Sequence, residues 1–518
     1  MSPLMFLLTT FILVVLCTWL WLMKQKLGYW QRLHLPFVKP LPLVGNLKDL
    51  FLVKISFGEI FHNLYHHPEA SQAPAVGIYL LNKPALLLRD PELIRLVFIK
   101  HSDKFQNRYE AADAVHDRMG ALTLPLSKFP IWWGCRKKMS AAFTSGQIKF
   151  RMYPLMLRVT HELEQFLARK LKGNPSQDGV VVEVKEMLAL FTTDLTSVLH
   201  YGKDVKGLAQ GYSVLREQTL KLFDIGIRRL LDFFIIFFCP ELTSWLRAKL
   251  FSPTYAKFIR QFTQELYEER KERFGNECKQ GNLVDILLQF QRENLQDPLH
   301  YSQHKDFVAS QVAIFLLAGF ETSSSVIGFT LYELAKQQDV QLKLRLELKQ
   351  AFGQRADLAY EELQALPYLQ QVLCEGLRMY PAAAFINREC TTRPRAKGFQ
   401  LTSDIFIPNG MPVYVSILAL HRDAKHWHNP HKFQPERFVA CNLQSINPMV
   451  YQPFGVGPHS CIGSRLGLLQ VKLALAHILK LYRVYTCSST AKEIQFDPRS
   501  FMLLAKGGIY LKFIRDDL

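Results

Sequence analysis

A lone cysteine, Cys461, stands in the stretch FGVGPHSCIG, Phe454 to Gly463, just ahead of a long apolar helical pattern. A cysteine so placed is core filler, a redox thiol or a metal ligand. Gly457 supplies a backbone conformation that other residues resist, and Gly463 lets a flat group approach the chain closely. The pattern puts Cys461 at the start of the helix, where backbone N–H groups and the helix dipole favour an anion. A thiolate is stabilised there, and a thiolate is the form that binds iron.

Three further groups carry chemistry. In AGFETSS, Ala318 to Ser324, a glycine, an acid and hydroxyls interrupt an apolar helical run. An acid in such a run is costly without a partner or a task. The Thr322 hydroxyl can bond the Ala318 carbonyl four residues back and open a polar groove. Glu321 and Thr322 are then placed to pass protons to something bound there; a kinked helix with a solvent-facing glutamate is the alternative. Glu375 and Arg378 are three apart on one helix face, with Arg437 in FQPERF as a later partner, which points to a structural lock. In WWGCRKK, Trp132 and Arg136 are four apart and point at one target. With Arg108 and Arg388 they are placed to hold the carboxylates of a cofactor; an exposed basic helix is the rival reading.

The elements that must position these residues come from a chain of 518 residues, 49% hydrophobic, enough for a large core. Leu4 to Met23 is uncharged and apolar, long enough at about 20 residues to span a bilayer core. Trp19 and Trp21 suit the interface, and Lys24, Lys26 and Arg32 follow, placing the body on the cytosolic side. A cleaved signal peptide would need a basic start and a small-residue cleavage site, and neither is present. Prolines 36, 40 and 42 make Leu33 to Asn46 a semi-rigid spacer. Strands are expected at Ala75 to Leu81, Ala85 to Asp90 and Met411 to Ile417, with helical patterns at Leu283 to Asn294, Val308 to Leu331 and about Cys461 to Tyr482. The fold class is mainly α with small β-sheets: one large domain, 47–518, behind an anchor (1–23) and a basic, proline-rich linker (24–46). Nine scattered cysteines without a Cys-x-x-Cys pair fit a reducing compartment. The excess of 63 Lys and Arg over 45 Asp and Glu suits an acidic partner or an anionic membrane; without finger spacing or a basic tail, nucleic acid is not expected.

In their order along the chain these motifs resemble the cytochrome P450 superfamily of haem-thiolate monooxygenases. Phe454, Gly457, Cys461 and Gly463 match the family's Phe-x-x-Gly-x-Arg-x-Cys-x-Gly pattern, AGFETS its oxygen-activation helix, and Glu375, Arg378 and Arg437 its Glu-Arg-Arg triad. Trp132 and Arg136 match the helix that binds a haem propionate. His459 stands where the family usually has an arginine, Ala382 replaces a frequent proline, and Gly134 weakens the Trp132 helix; the histidine's charge would depend on pH. FTSGQIKF, LRMYPAAAFINREC and GGIYLKF look like microsomal insect enzymes that handle xenobiotics and hormones.

The resemblance implies haem b with the Cys461 thiolate as axial ligand, contacts from Trp132, Arg136, Arg108, Arg388 and His459, and proton delivery by Thr322 with Glu321. It implies insertion of one oxygen atom from O2 into a small apolar substrate, such as a xenobiotic, insecticide, hormone or lipid. No dinucleotide fingerprint is present, so electrons are expected from NADPH through cytochrome P450 reductase, with cytochrome b5 as a further partner. Lys137, Lys138 and Lys149 are expected to dock the reductase on the endoplasmic reticulum membrane. The run LLDFFIIFFCP, Leu230 to Pro240, is either a second membrane contact or core. Pocket residues are expected within Tyr109 to Leu126, Phe223 to Phe238, the helix before Ala318, and Ala382 to Phe385. A haem-thiolate sensor without turnover and a peroxide isomerase without reductase are the other classes; the acid–threonine pair disfavours both.

Overall fold

The computed structural model describes residues 3–70, 72–173, 179–222, 226–274, 281–293, 301–392 and 396–516. Phe223, Cys278 and the side chains of Cys17, Trp19 and Trp21, which the sequence singles out, lie outside the described residues.

The body is built around one helix, Phe307–Lys336. Apolar residues occur all round it, so burial on every side stabilises it. By length and composition it could cross a bilayer, yet most of it is buried inside the protein, which makes it a core helix. It packs against helix Val184–Thr196 on one side and helix Ser464–Leu481 on another. Gly319 explains the first contact, because a Cβ there would stand 2.5 Å from Thr196 Oγ1. A glycine costs about 1 kcal/mol in a helix interior; here it allows two helices to touch. The second contact carries a polar pin, Ser323 Oγ to Gln470 Oε1 at 2.7 Å.

The sheets lie at the periphery. Strand Ala75–Leu80 pairs antiparallel with Lys83–Leu88, which runs parallel to Pro412–Ser416, which pairs antiparallel with Phe385–Glu389. A three-stranded sheet places Tyr510–Arg515 between Val180–Glu183 and Tyr482–Tyr485. Gly398–Gln400 and Phe406–Pro408 form a two-stranded ribbon. The expected strands are all present, with ends shifted by one or two residues. The last long helix starts at Ser464, three residues after the expected Cys461.

Packing fixes two stretches that the sequence singles out. The semi-rigid spacer, residues 33–46, docks on the sheet: Val38 N donates to Gly77 O at 3.0 Å and Asn46 N to Tyr79 O at 3.0 Å. Trp30 lies on Gly77, where a Cβ would come within 2.4 Å of its ring, and its indole N–H donates to Ile78 O. The prolines stiffen the segment, and the sheet edge supplies the hydrogen bonds that fix it. Within the run Leu230 to Pro240, Phe234 to Phe238 are core, buried on helix Ile227–Phe238, while Leu231 is exposed. The exposed apolar surface there belongs to Ile227, Leu231, Leu242 and Trp245.

Candidate functional site

The cysteine loop is shaped by two glycines. Gly455 and Gly457 sit at φ +68° and +74°, and a Cβ on Gly457 would meet Phe98 O at 2.0 Å. The loop closes on itself through Ser460 N to Gly457 O and Cys461 N to Phe454 O, at 3.0 and 2.9 Å. Gly463 is the N-cap of helix Ser464–Leu481. Cys461 therefore stands just ahead of the first turn, where the Gly463 N–H donates to its sulfur. The thiol is open to a solvent-sized sphere and yet surrounded by protein, so it faces internal space rather than the outer surface. Burial pushes its pKa up; the Gly463 N–H and then Arg136 and Arg108 pull it down.

The cationic side chains converge on this loop from three elements. Arg136, on helix Ile131–Met139, donates to Ser460 O at 2.8 Å. Arg108 donates to His459 O and Pro125 O, both at 3.3 Å. Arg388, on strand Phe385–Glu389, is buried over the Phe98 ring at 4.8 Å. Burial and then Arg108 drive its pKa well below the usual guanidinium range. Glu110, 3.9 Å from Arg108, is the one carboxylate paired with this set among the described residues. Gly134 serves the same helix, since a Cβ there would press on Tyr301 Oη at 2.4 Å.

His459 differs from a pH-dependent cation. Its ring stacks on Trp132 with centroids 3.5 Å apart, and its Nε2 meets Gln106 O at 2.8 Å. Burial, then Arg388 and Arg108, push its pKa far down, so it is neutral at physiological pH. Its Nδ1 is buried without a hydrogen-bond partner.

The central helix presents one open stripe in an otherwise buried surface. Ile314, Leu317, Ala318 and Thr322, spaced three, one and four apart, keep accessible area. Thr322 Oγ1 donates to Ala318 O at 2.7 Å. Glu321 points elsewhere: it is buried, and Lys185 Nζ on helix Val184–Thr196 donates to its Oε1 at 2.6 Å and to Ser324 Oγ at 2.7 Å. It is neither solvent-facing nor in the open stripe. The Lys185 ammonium has its pKa lowered by burial, with Glu321 opposing. Sequence alone missed Lys185, because 136 residues separate it from Glu321 and its neighbours Glu183 and Glu186 offer nearer partners in the chain. Phe143 links stripe to loop, stacking on Phe315 and standing 3.9 Å from where a Gly463 Cβ would be.

Glu375, Arg378 and Arg437 are brought together behind the loop. Arg378 grips Glu375 through two bonds of 2.7 and 2.8 Å, and both side chains are wholly buried. Arg437 Nε and the Gln434 N–H add to Glu375 Oε1 at 3.3 and 2.8 Å. Arg378 also donates to His421 O, which ties the helix Pro367–Met379 to the segment after strand Pro412–Ser416. Two of the three expected docking lysines have partners already: Lys138 pairs with Glu293 at 2.9 Å and Lys149 pairs with Glu361. A polar cavity of about 590 Å³ between Glu333, Tyr380, Arg422 and Lys432 contains neither Cys461 nor Thr322 and is separate from this site.

Arg136 and Arg108 act on the Cys461 thiol, Arg388 stands near Arg108 and His459, and Glu110 is the single carboxylate paired with this set among the described residues. That donor set fits a flat, metal-bearing group with two carboxylates of its own, so the residues present fit haem, and fold and site define a haem-thiolate protein. The family model for Cytochrome P450 matches residues 35–513. "Probable cytochrome P450 6t3" of Drosophila melanogaster is 47% identical over 510 residues, covering 98% of each chain. "Probable cytochrome P450 6w1" of the same fly is 39% identical over 493 residues, 94% of each chain. "Cytochrome P450 6k1" of Blattella germanica is 32% identical over 507 residues, 95% of this chain and 93% of the relative. The chain belongs to the cytochrome P450 family and is a cytochrome P450 monooxygenase.

Proposed function

We propose that this protein inserts one oxygen atom into a small apolar substrate at the endoplasmic reticulum membrane, using electrons that NADPH–cytochrome P450 reductase, with cytochrome b5 as a further donor, delivers. The observation that carries this reading is the pairing of an interior thiol, Cys461, with a single open stripe on the central helix that includes Thr322. Haem, when bound, supplies the activation of O2. Cys461 would be its iron ligand, and Arg108, Arg136 and Arg388 would hold its carboxylates; His459, whose Nε2 proton goes to Gln106 O, leaves Nδ1 as an acceptor only. The neutral His459 then adds no charge, so the arginines carry the electrostatic part of binding.

Thr322 holds its hydroxyl proton on Ala318 O and can turn it toward the open stripe, which makes it a proton carrier for a molecule bound there. Glu321 reaches the same path only when its Lys185 bond opens. Ile314, Leu317 and Ala318 make the stripe apolar, which favours a substrate of the xenobiotic, hormone or lipid kind. Helix Pro3–Leu27, with Met5, Leu7, Leu8, Phe11 and Leu13 exposed, would be the membrane anchor, and exposed Ile227, Leu231 and Trp245 a second lipid contact.

The test is the carbon monoxide difference spectrum of the reduced protein in membranes. A red-shifted thiolate band, lost in Cys461→Ser with haem retained, is the expected result. A full haem complement in the wild type without that band would overturn the assignment of Cys461.

A further inference from the structure

Away from the haem site, four side chains from three segments meet at the far end of the helix that follows the cysteine loop. His161 and Glu164 lie three apart on helix Tyr153–Lys172, and His477 lies on helix Ser464–Leu481. Asp357 comes from the turn between helices Gln338–Phe352 and Tyr360–Ala365. His161, Glu164 and His477 offer ligand atoms that all lie within 4.8 Å of one another. Around the ring, His161 Nδ1 is 3.3 Å from Glu164 Oε2, and His161 Nε2 is 3.1 Å from Asp357. His477 Nδ1 is 2.7 Å from Glu164 Oε1 and its Nε2 is 3.8 Å from Asp357 Oδ1.

Four imidazole nitrogens thus face carboxylate oxygens. A neutral imidazole has a proton on only one nitrogen. Two neutral histidines would leave two nitrogen lone pairs aimed at carboxylates, which is repulsive. Two imidazoliums paired with the two carboxylates would satisfy every bond; a divalent cation that accepts one lone pair from each neutral ring satisfies them at the same net charge, and the other nitrogen of each ring then donates to a carboxylate. Asp357 Oδ1 is buried and makes no hydrogen bond, and it stands 3.1 Å from His161 Nε2 and 3.8 Å from His477 Nε2, so it faces both rings. Lys480 is the competing cation, 3.4 Å from Glu164 Oε1, but it also donates to Ala356 O and leaves Glu164 Oε2 on the His161 side.

We propose that His161, Glu164, His477 and Asp357 form a structural site for a zinc-like divalent metal. Two imidazoles with two carboxylates suit zinc, whereas magnesium and calcium prefer oxygen ligands alone. Zinc bonds of about 2.0–2.1 Å in a tetrahedron set ligands about 3.3 Å apart. One ligand atom from each of His161, Glu164 and His477 lies within 4.8 Å of the others, so rotamer changes must draw these atoms, and an Asp357 oxygen, inward to complete the site. The metal would clamp the helix that carries the cysteine loop at its start to helix Tyr153–Lys172 and to the Asp357 turn.

Full-length holoprotein, stripped with chelator and then titrated with zinc chloride, provides the test. Zinc retained per chain after gel filtration is expected to be one, and the melting temperature is expected to rise with zinc. His161→Gln and Asp357→Asn are the informative variants, because these side chains are 36% and 34% exposed and their replacement spares the core. Both variants are expected to fold, to lose the retained zinc and to melt at a temperature that zinc no longer changes. Equal zinc retention in wild type and both variants would assign the metal to other groups and overturn the site. So would a wild type whose melting temperature is insensitive to zinc, or one that responds equally to magnesium.

Discussion

At the scale of single residues, the open stripe separates Thr322 from its neighbour Glu321. The threonine hydroxyl borders the interior space, while the glutamate is turned into a buried pair with Lys185. Replacing Thr322 removes a proton carrier without disturbing packing of comparable importance. Thr322→Ala is expected to keep the carbon monoxide spectrum and to raise the ratio of hydrogen peroxide to oxygenated product by about tenfold or more, given that a positioned proton-transfer group contributes roughly 10²–10⁴-fold. The ratio of peroxide to oxygenated product, measured with purified reductase, is the readout. An unchanged ratio would remove Thr322 from the proton path. The types and spacings of Cys461, Trp132, Arg136 and Thr322 were legible in sequence, since each depends on neighbours within a few residues. The state of His459 was not. Its neutrality comes from stacking on Trp132 and from Arg108 and Arg388, which lie 351 and 71 positions away in the chain and close in space only after folding.

At the scale of elements, the triad is one part of a junction whose other part is His421. Its ring is fully buried, accepts the Gln452 N–H at 3.0 Å, and faces Arg378 O with Nδ1 at 3.2 Å. The first bond requires a bare Nε2 and the second a protonated Nδ1, so the neutral tautomer is fixed. Burial, and next the Arg378 charge, lower its pKa to about 3, with Arg422 adding to the effect and the backbone carbonyls opposing it. In the unfolded chain the same ring takes a proton near pH 6.5. Between these values the unfolded state binds more protons, so stability is full above pH 6.5 and falls as the pH drops toward 3. The slope from this one group is about 1.4 kcal/mol per pH unit. His200, lowered to about 4 by burial, adds in the same direction. Urea midpoints measured from pH 7.5 to 4.5 are expected to fall less steeply in His421→Asn than in wild type, whatever the offset at neutral pH. Parallel curves would show that His421 is not the titrating group. Sequence patterning found the elements that this junction joins, because strand alternation and helix periodicity are local. It could not find the junction, since nothing near His421 in the chain announces its distant partner Gln452 or the Arg378 helix.

At the scale of the whole molecule, the net charge of +18 is a weaker guide to the docking face than the pairing of individual lysines. Lys138 and Lys149 are partly neutralised by Glu293 and Glu361. Lys137 is exposed and makes no ion pair among the described residues. Arg465, exposed four residues after the thiol, spends one bond on Ser145 Oγ and makes no ion pair among the described residues. On the proposed reading, these two unpaired cations are contacts for an acidic flavin domain that approaches from the cysteine side of the body. Such steering acts through solvent and is screened beyond about 10 Å at 0.1 M salt and about 3 Å at 1 M. The double variant Lys137→Glu with Arg465→Glu is expected to slow the reductase-driven first reduction by about tenfold or more at low ionic strength, within the span that electrostatic steering commands. The difference is expected to close as salt rises, because wild type slows while the variant does not. Lys138→Glu, which loses its Glu293 partner as well as a surface charge, is expected to have the smaller kinetic effect. Stopped-flow reduction under carbon monoxide separates the cases. Equal rates for wild type and double variant at low salt would move the docking face away from this side of the molecule.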